Sequence, residues 1–153
     1  MANSARDEQA RPRLVLADDH PDVLDEISRL LVSEFDLLRT VGEGRALIEA
    51  SAELQPDAVI SDIRMTGLDG IEAGRQILQK GLCKAVLVLT MYNEPHLVSR
   101  ALQAGIRGYV LKVDAGDELI PAVYAVLSGG NYVSRGVTRR GTGADAASRV
   151  PVP

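Results

Sequence analysis

Five times along this chain a short, mostly apolar run gives way to a stretch with helical spacing. Uninterrupted apolar runs suit strands covered on both faces, which is the situation in a parallel sheet. The first run is Leu14-Val-Leu-Ala-Asp18. Pro21 follows, and proline is favoured in the first turn of a helix, where its missing N–H is not needed. Val23, Ile27, Leu30 and Leu31 then share one helical face. Leu37 to Val41 predicts a second strand, placed at an edge by Arg39 and Thr40. After the breaks at Gly42 and Gly44, Ala46, Leu47, Ala50 and Leu54 give a second helix, stopped at Pro56. Ala58-Val-Ile-Ser-Asp62 predicts the third strand, Met65 to Gly70 a loop, and Ile71 to Gln79 a third helix with Gly81 as its stop. Ala85 to Thr90 is the most apolar run and is expected at the centre of the sheet. Pro95 opens a helix with Leu97, Val98, Ala101 and Leu102 on its apolar face. Tyr109 to Lys112 is the fifth strand, and Leu119, Ile120, Val123, Val126 and Leu127 define a last helix that ends at Gly129-Gly130.

Strands alternating with helices in this way predict an α/β fold with helices on both faces of a parallel sheet, joined by right-handed crossovers. Five strands and five helices suit the flavodoxin-like, doubly wound order 2-1-3-4-5. The expected organisation is a disordered leader over residues 1–12, one domain over residues 13–134, and a flexible tail or linker over residues 135–153. With 3% aromatic residues and no Trp, the core must be built from Leu, Val, Ile and Ala.

The net charge of −4 is unevenly spread. Ser134 to Pro153 has four Arg against one Asp, and Met1 to Arg13 three Arg against Asp7 and Glu8, which leaves −8 on the body from Leu14 to Val133. A nucleic-acid-binding domain usually carries a basic patch instead. Arg135, Arg139, Arg140 and Arg149 read as keeping a linker soluble rather than as a nucleic-acid contact. Cys83 is the only cysteine, so no disulfide forms within the chain, which fits a reducing compartment. No run approaches the roughly 18 apolar residues needed to span a bilayer, and no signal-peptide core is present at the N-terminus. The expected location is cytoplasmic, with no membrane partner.

In open α/β sheets the functional groups gather at the carboxyl ends of strands. Here the first strand ends at Asp18 and Asp19, the third at Asp62, the fourth at Thr90 and the fifth at Lys112. Any one of these alone reads as a cap or turn residue. Together they put three carboxylates, an ammonium and a hydroxyl in one crevice. Converging carboxylates repel, which raises at least one pKa; a hard divalent cation such as Mg2+, which takes oxygen ligands, removes that cost. A carboxylate beside Mg2+, Lys and a hydroxyl suits phosphoryl transfer through an aspartyl phosphate. His20 and His96 lack a metal-binding partner at suitable spacing, and His20 is expected to belong to the start of the first helix beside Pro21. Gly42 and Gly44 do not form a dinucleotide fingerprint, because they do not follow the first strand.

The segments Ala17-Asp-Asp-His-Pro21, Ser61-Asp-Ile-Arg-Met-Thr-Gly-Leu-Asp-Gly70, Leu89-Thr-Met91 and Ala104-Gly-Ile-Arg-Gly-Tyr-Val-Leu-Lys112 resemble response-regulator receiver domains of two-component systems. The likeness is nearest to the receivers at the N-terminus of LuxR/NarL-type transcription regulators and covers about Arg13 to Ser134. It implies that Asp62 accepts a phosphoryl group from a sensor histidine kinase. It implies that Asp19 and Asp62 bind Mg2+ directly, with Asp18 acting through water and the backbone carbonyl of Arg64 as a further ligand. Lys112 would pair with the phosphoryl oxygens, Thr90 would move inward to them, and Tyr109 would turn inward with it. The output implied is homodimerisation or control of an effector, usually a DNA-binding domain that is not visible in this chain. Such a domain is an acceptor and switch rather than an enzyme, with slow self-dephosphorylation at most.

Four positions depart from the family pattern or vary within it. Thr66 stands where Pro is usual and predicts a less rigid loop; Val113 rather than Pro follows Lys112, so no cis peptide is expected there; Arg64 and Tyr92 occupy positions that tune dephosphorylation in the family. Two other readings compete. One is an interaction module independent of phosphorylation, suggested by Thr66 and the missing output domain. The other is a phosphohydrolase working through an aspartyl phosphate, for which no substrate-capping segment is visible.

Overall fold

The computed structural model describes residues 10–137. Among them are six strands, β1 (Arg13–Ala17), β2 (Asp36–Val41), β3 (Ala58–Ser61), β4 (Ala85–Thr90), β5 (Gly108–Leu111) and β6 (Tyr132–Val133). The α-helices are α1 (Pro21–Leu31), α2 (Gly44–Leu54), α3 (Gly70–Gln79), α4 (Pro95–Gln103) and α5 (Ala115–Leu127), with a 3-10 turn at Lys112–Asp114. All strand pairs are parallel, in the order β2-β1-β3-β4-β5-β6. The expected order 2-1-3-4-5 is present and is extended by one strand. The addition is only two residues long, pairing Gly108 with Tyr132 and Tyr109 with Val133, too short for any periodicity to announce it.

Why the strands lack polar alternation is visible in the packing. Val15, Ala17, Val59, Val86, Val88, Tyr109 and Leu111 point to one side, against Leu47 of α2, Ile71 and Ile77 of α3, and Leu97 of α4. Leu14, Leu16, Ile60, Leu87, Leu89 and Val110 point to the other, against Ile27 and Leu31 of α1 and Leu119, Val123 and Val126 of α5. Successive residues of a strand face opposite sides, so a sheet clothed on both must be apolar at every position. β2 is the exception, being the edge strand, with Arg39 and Thr40 exposed.

The boundaries carry more structure than expected. Within the anticipated leader, the Arg11 guanidinium donates to Val32 O at 2.8 Å and Pro12 O accepts from Asp36 N. At the other end residues 135–137 are helical and Val137 is buried in the core. Ser134, fully buried, donates to Asp114 Oδ2 at 2.5 Å. The rest of the expected leader and tail, residues 1–9 and 138–153, lies outside the described residues. No helix among the described residues is long and apolar enough to cross a membrane.

Candidate functional site

The sheet itself sets the spacing of the site. Ala17 pairs with Ser61, so the residues that follow them, Asp18 and Asp62, leave the sheet side by side. Asp18 N donates to Val41 O and Asp62 N to Ala17 O, both at 3.0 Å, which ties the two exits to the neighbouring strands. Thr90 pairs with Leu111, the residue before Lys112. From there Lys112 reaches across β4, with Nζ at 2.8 Å from Asp18 Oδ2 and 2.9 Å from Asp62 Oδ2. Both aspartate side chains are only 3% exposed and Lys112 15%, so this bridge is largely withdrawn from water. The other oxygen of Asp62 accepts the Ile63 N–H at 2.7 Å.

Burial alone would raise the Asp18 carboxyl, but the Lys112 ammonium and the backbone and ring N–H groups of His20 outweigh it and hold the carboxyl below its ordinary value. Burial alone would lower Lys112, and its hydrogen bonds to Asp18 and Asp62 outweigh that and hold it above its ordinary value. Asp18 is therefore held as the carboxylate and Lys112 as the ammonium at neutral pH.

Asp19 follows Asp18 directly in the chain. Its carboxylate sits at the rim, 30% exposed, with Oδ1 at 3.0 Å from His20 Nδ1. His20 is instead the residue that joins the group: Asp18, His20 and Asp62 each offer a ligand atom within 4.8 Å of the others. His20 thus lies near its neighbour Asp18 and, across the sheet, Asp62, a proximity that its spacing along the chain did not suggest. The adjacent sequence Asp18-Asp19-His20 was the available signal. The expectation that His20 starts the first helix holds, as it is the N-cap of α1.

Thr90 is fully buried at the end of β4, and the bond it makes stays within its own loop, Tyr92 N to Thr90 Oγ1 at 3.3 Å. Tyr109 stands in the inward position: it is 1% exposed and its hydroxyl donates to Tyr92 O at 2.6 Å. Burial, with Glu94 and Asp62 nearby, pushes its phenol well above the usual tyrosine range. The Arg64 guanidinium carbon lies 4.4 Å from the centroid of the Tyr92 ring, a cation–π contact that links the loop after β3 to the loop after β4. The loop containing Thr66 is tied down more than expected, since Thr66 forms a parallel backbone bridge with Glu43.

The two buried carboxylates, Asp18 and Asp62, are the part of this group that fits a divalent cation. Asp18 and Asp62 supply oxygen ligands, the type Mg2+ prefers, and Lys112 balances charge that a cation would otherwise balance alone.

Comparisons with known proteins agree with this layout. Residues 14–124 match the family described as response regulator receiver domain. The chain is 33% identical over 128 residues to the transcriptional regulatory protein DegU of Brevibacillus brevis, covering 82% of this chain and 54% of that one. The chain thus spans about half the length of that relative. A two-component response regulator of the LuxR family from Aurantimonas sp. SI85-9A1 superposes with a TM-score of 0.83 at 28% identity, over 90% of this chain and 99% of that one. The isolated receiver domain of RcsB from Salmonella enterica serovar Typhimurium, solved with the phosphomimetic BeF3-, superposes with a TM-score of 0.76 at 30% identity, over 84% of this chain and 97% of that one. Receiver domains generally bind Mg2+ at an acidic pocket, and the pocket of Asp18 and Asp62 stands at that place in this fold. Fold, strand-end chemistry and sequence match converge, and the chain belongs to the response regulator receiver domain family, related to the LuxR/NarL-type transcription regulators.

Proposed function

We propose that residues 13–134 act in the cytoplasm as a phosphorylation switch in which Asp62 is the acceptor and a phosphohistidine of a sensor histidine kinase the donor. The observation that carries this reading is the bridge of Lys112 Nζ to Asp18 and Asp62, buried at the carboxyl end of the sheet. The Asp62 carboxylate attacks phosphorus, the P–N bond breaks, and the imidazole leaves with the electron pair and takes up a proton. Asp18, Asp19, Asp62 and the carbonyl of Arg64 would hold Mg2+, whose chemistry is to neutralise charge on the transferring phosphoryl oxygens. Lys112, already in place, pairs with those oxygens once Asp62 is esterified. Thr90 and Tyr109 then read the added charge of about −1.5 to −2. Thr90 turns its hydroxyl to the new acceptors, and Tyr109 fixes the loop through Tyr92 O. The changed surface drives homodimerisation or an effector, with transcription as the output in the relatives named as transcriptional regulators.

Phosphorylation tests the acceptor directly. Asp62→Asn is expected to abolish acid-labile labelling from a phosphohistidine donor, and undiminished labelling would place the acceptor elsewhere. Beryllofluoride with Mg2+ is expected to move backbone NMR resonances around Asp62, Thr90 and Tyr109; an unchanged spectrum would favour a module that works without phosphorylation.

A further inference from the structure

We propose that Ser134 is a positioning residue for Lys112: it clamps the turn that carries the lysine, so that the segment following β6 and the phosphoryl site form one coupled unit. This rests on the reading of Asp62 as the phosphoacceptor. Lys112, Val113 and Asp114 make up a single 3-10 turn. Its first residue reaches the site, with Nζ at 2.8 Å from Asp18 Oδ2 and 2.9 Å from Asp62 Oδ2. Its last residue reaches the other way, where Asp114 Oδ2 accepts the Ser134 hydroxyl at 2.5 Å. Val113 between them is 86% exposed, so the side chains of the turn are anchored only at its two ends.

Asp114 is the N-cap residue of α5, a place where an aspartate usually accepts a helix N–H. Its carboxylate makes no such bond and goes to Ser134 instead. Ser134 is fully buried immediately after β6, and its N–H donates to Tyr109 O at 2.8 Å. Its hydroxyl also lies 3.1 Å from Glu118 Oε1, which accepts the Arg135 N–H at 3.2 Å. The next residues close onto the same strand. Val137 is buried in the core layer of Tyr109 and Leu111. A Cβ on Gly136 would stand 3.1 Å from Asp114 Oδ2 and 3.2 Å from Leu111 Cδ1, so glycine lets the segment lie against the turn. The clamped turn is thus the one in which Lys112 is engaged. Phosphorylation of Asp62 adds charge of about −1.5 to −2 and strengthens that engagement. Coupling of this kind is reciprocal: a clamp that favours the engaged lysine is favoured by it to the same degree.

Beryllofluoride with Mg2+ serves as the phosphoryl probe, titrated by NMR into the full chain, Ser134→Ala, Asp114→Ala and the double variant. The dissociation constant of the probe is expected to rise about fivefold or more in each single variant. The double variant should show no further rise, because both changes break one bond. Ser51→Ala is the control: it loses a buried hydroxyl bonded to Leu47 O within α2 and should bind the probe as the wild type does. Amide exchange at Ser134 and Val137 is expected to slow when the wild type takes up the probe, and not in Asp114→Ala. Unchanged affinity in Ser134→Ala and Asp114→Ala, or an equal loss in Ser51→Ala, reduces the clamp to an anchor of the chain and leaves Asp62 standing as the acceptor. If Ser134→Ala does not fold, Asp114→Ala and the wild-type exchange decide in the same way. A wild type that ignores the probe removes the acceptor reading and the clamp's part in it together.

Discussion

Taking an ammonium and two carboxylates out of water together is unfavourable for each group, and at Asp18, Asp62 and Lys112 only their mutual contacts offset it. The trio carries a surplus negative charge, so removing Lys112 leaves two buried carboxylates with no cation between them. Lys112→Ala is expected to lower unfolding free energy by about 3 kcal/mol in Mg2+-free buffer, the low end of the range for breaking a buried pair because Lys112 keeps some exposure. Millimolar Mg2+ should recover part of the loss; denaturant titration with and without the ion measures both. The pH dependence follows from the same contacts. Asp18 is held below its ordinary value of 3.8, so its contribution is complete above about that pH and fades as pH falls through the lower folded value. Lys112 is held above 10.5, so its contribution is complete below about that pH and fades as pH rises through the higher folded value. Stability should thus show a plateau between these limits, and in Lys112→Ala the acid-side loss should shrink; an unchanged acid limb in that variant would mean that Lys112 does not hold Asp18 down. Asp62 and Lys112 were legible because a strand end is a definite place. His20 was not, because spacing along the chain says nothing of where a ring swings once proline fixes the backbone before it.

At the scale of elements, the acceptor is held by close backbone approach. A Cβ on Gly70 would stand 1.8 Å from Asp62 O and 2.7 Å from Ser61 Oγ, and one on Gly44 2.3 Å from Leu68 O. The first turn of α3 thus lies directly on the acceptor's own carbonyl, with Gly70 N donating to Ile63 O at 2.7 Å and Asp69 capping the helix through Glu72 N. Gly70→Ala is expected to cost at least the upper part of the roughly 1–3 kcal/mol typical of overpacking, and to slow phosphorylation of Asp62 as α3 moves away. Gly116 is the contrasting case: it lies in α5 with open space around its Cβ position, so Gly116→Ala should stabilise by about 0.5–1 kcal/mol. Equal melting behaviour of the two variants would mean that the close approach over Asp62 does not constrain the fold. The helices and long strands were readable from periodicity. β6 and the anchoring of Ser134 were not, because both rest on tertiary contacts. Ser134 is held between Asp114 and Glu118, one on the turn that follows Lys112 and the other on α5. No local pattern encodes that pairing, although it ties the start of the C-terminal segment to the strand that carries the site.

For the molecule as a whole, apolar layers on both faces of the sheet leave the charged groups one place to collect, the pole where the strands end. Strand order was legible because right-handed crossovers and two-sided burial leave few arrangements open. A cation at that pole is an expectation from the balance of charge alone, since three aspartates against one lysine fall short of neutrality. Folding brings Asp18 and Asp62 together, so a divalent cation that binds them binds the folded chain and shifts the unfolding equilibrium. At a concentration about 100 times its dissociation constant the gain is about 2.7 kcal/mol, which for a domain of this size raises the melting temperature by roughly 8–14 °C. Asp62→Asn removes one ligand charge and also relieves the repulsion that the ion counters. Its melting temperature without Mg2+ should therefore equal or exceed that of the wild type, while its response to the ion should largely vanish. Calorimetric melting of both proteins across a Mg2+ series separates these terms. A wild-type melting temperature indifferent to Mg2+ would mean that Lys112 alone balances the pole and that no cation is needed there.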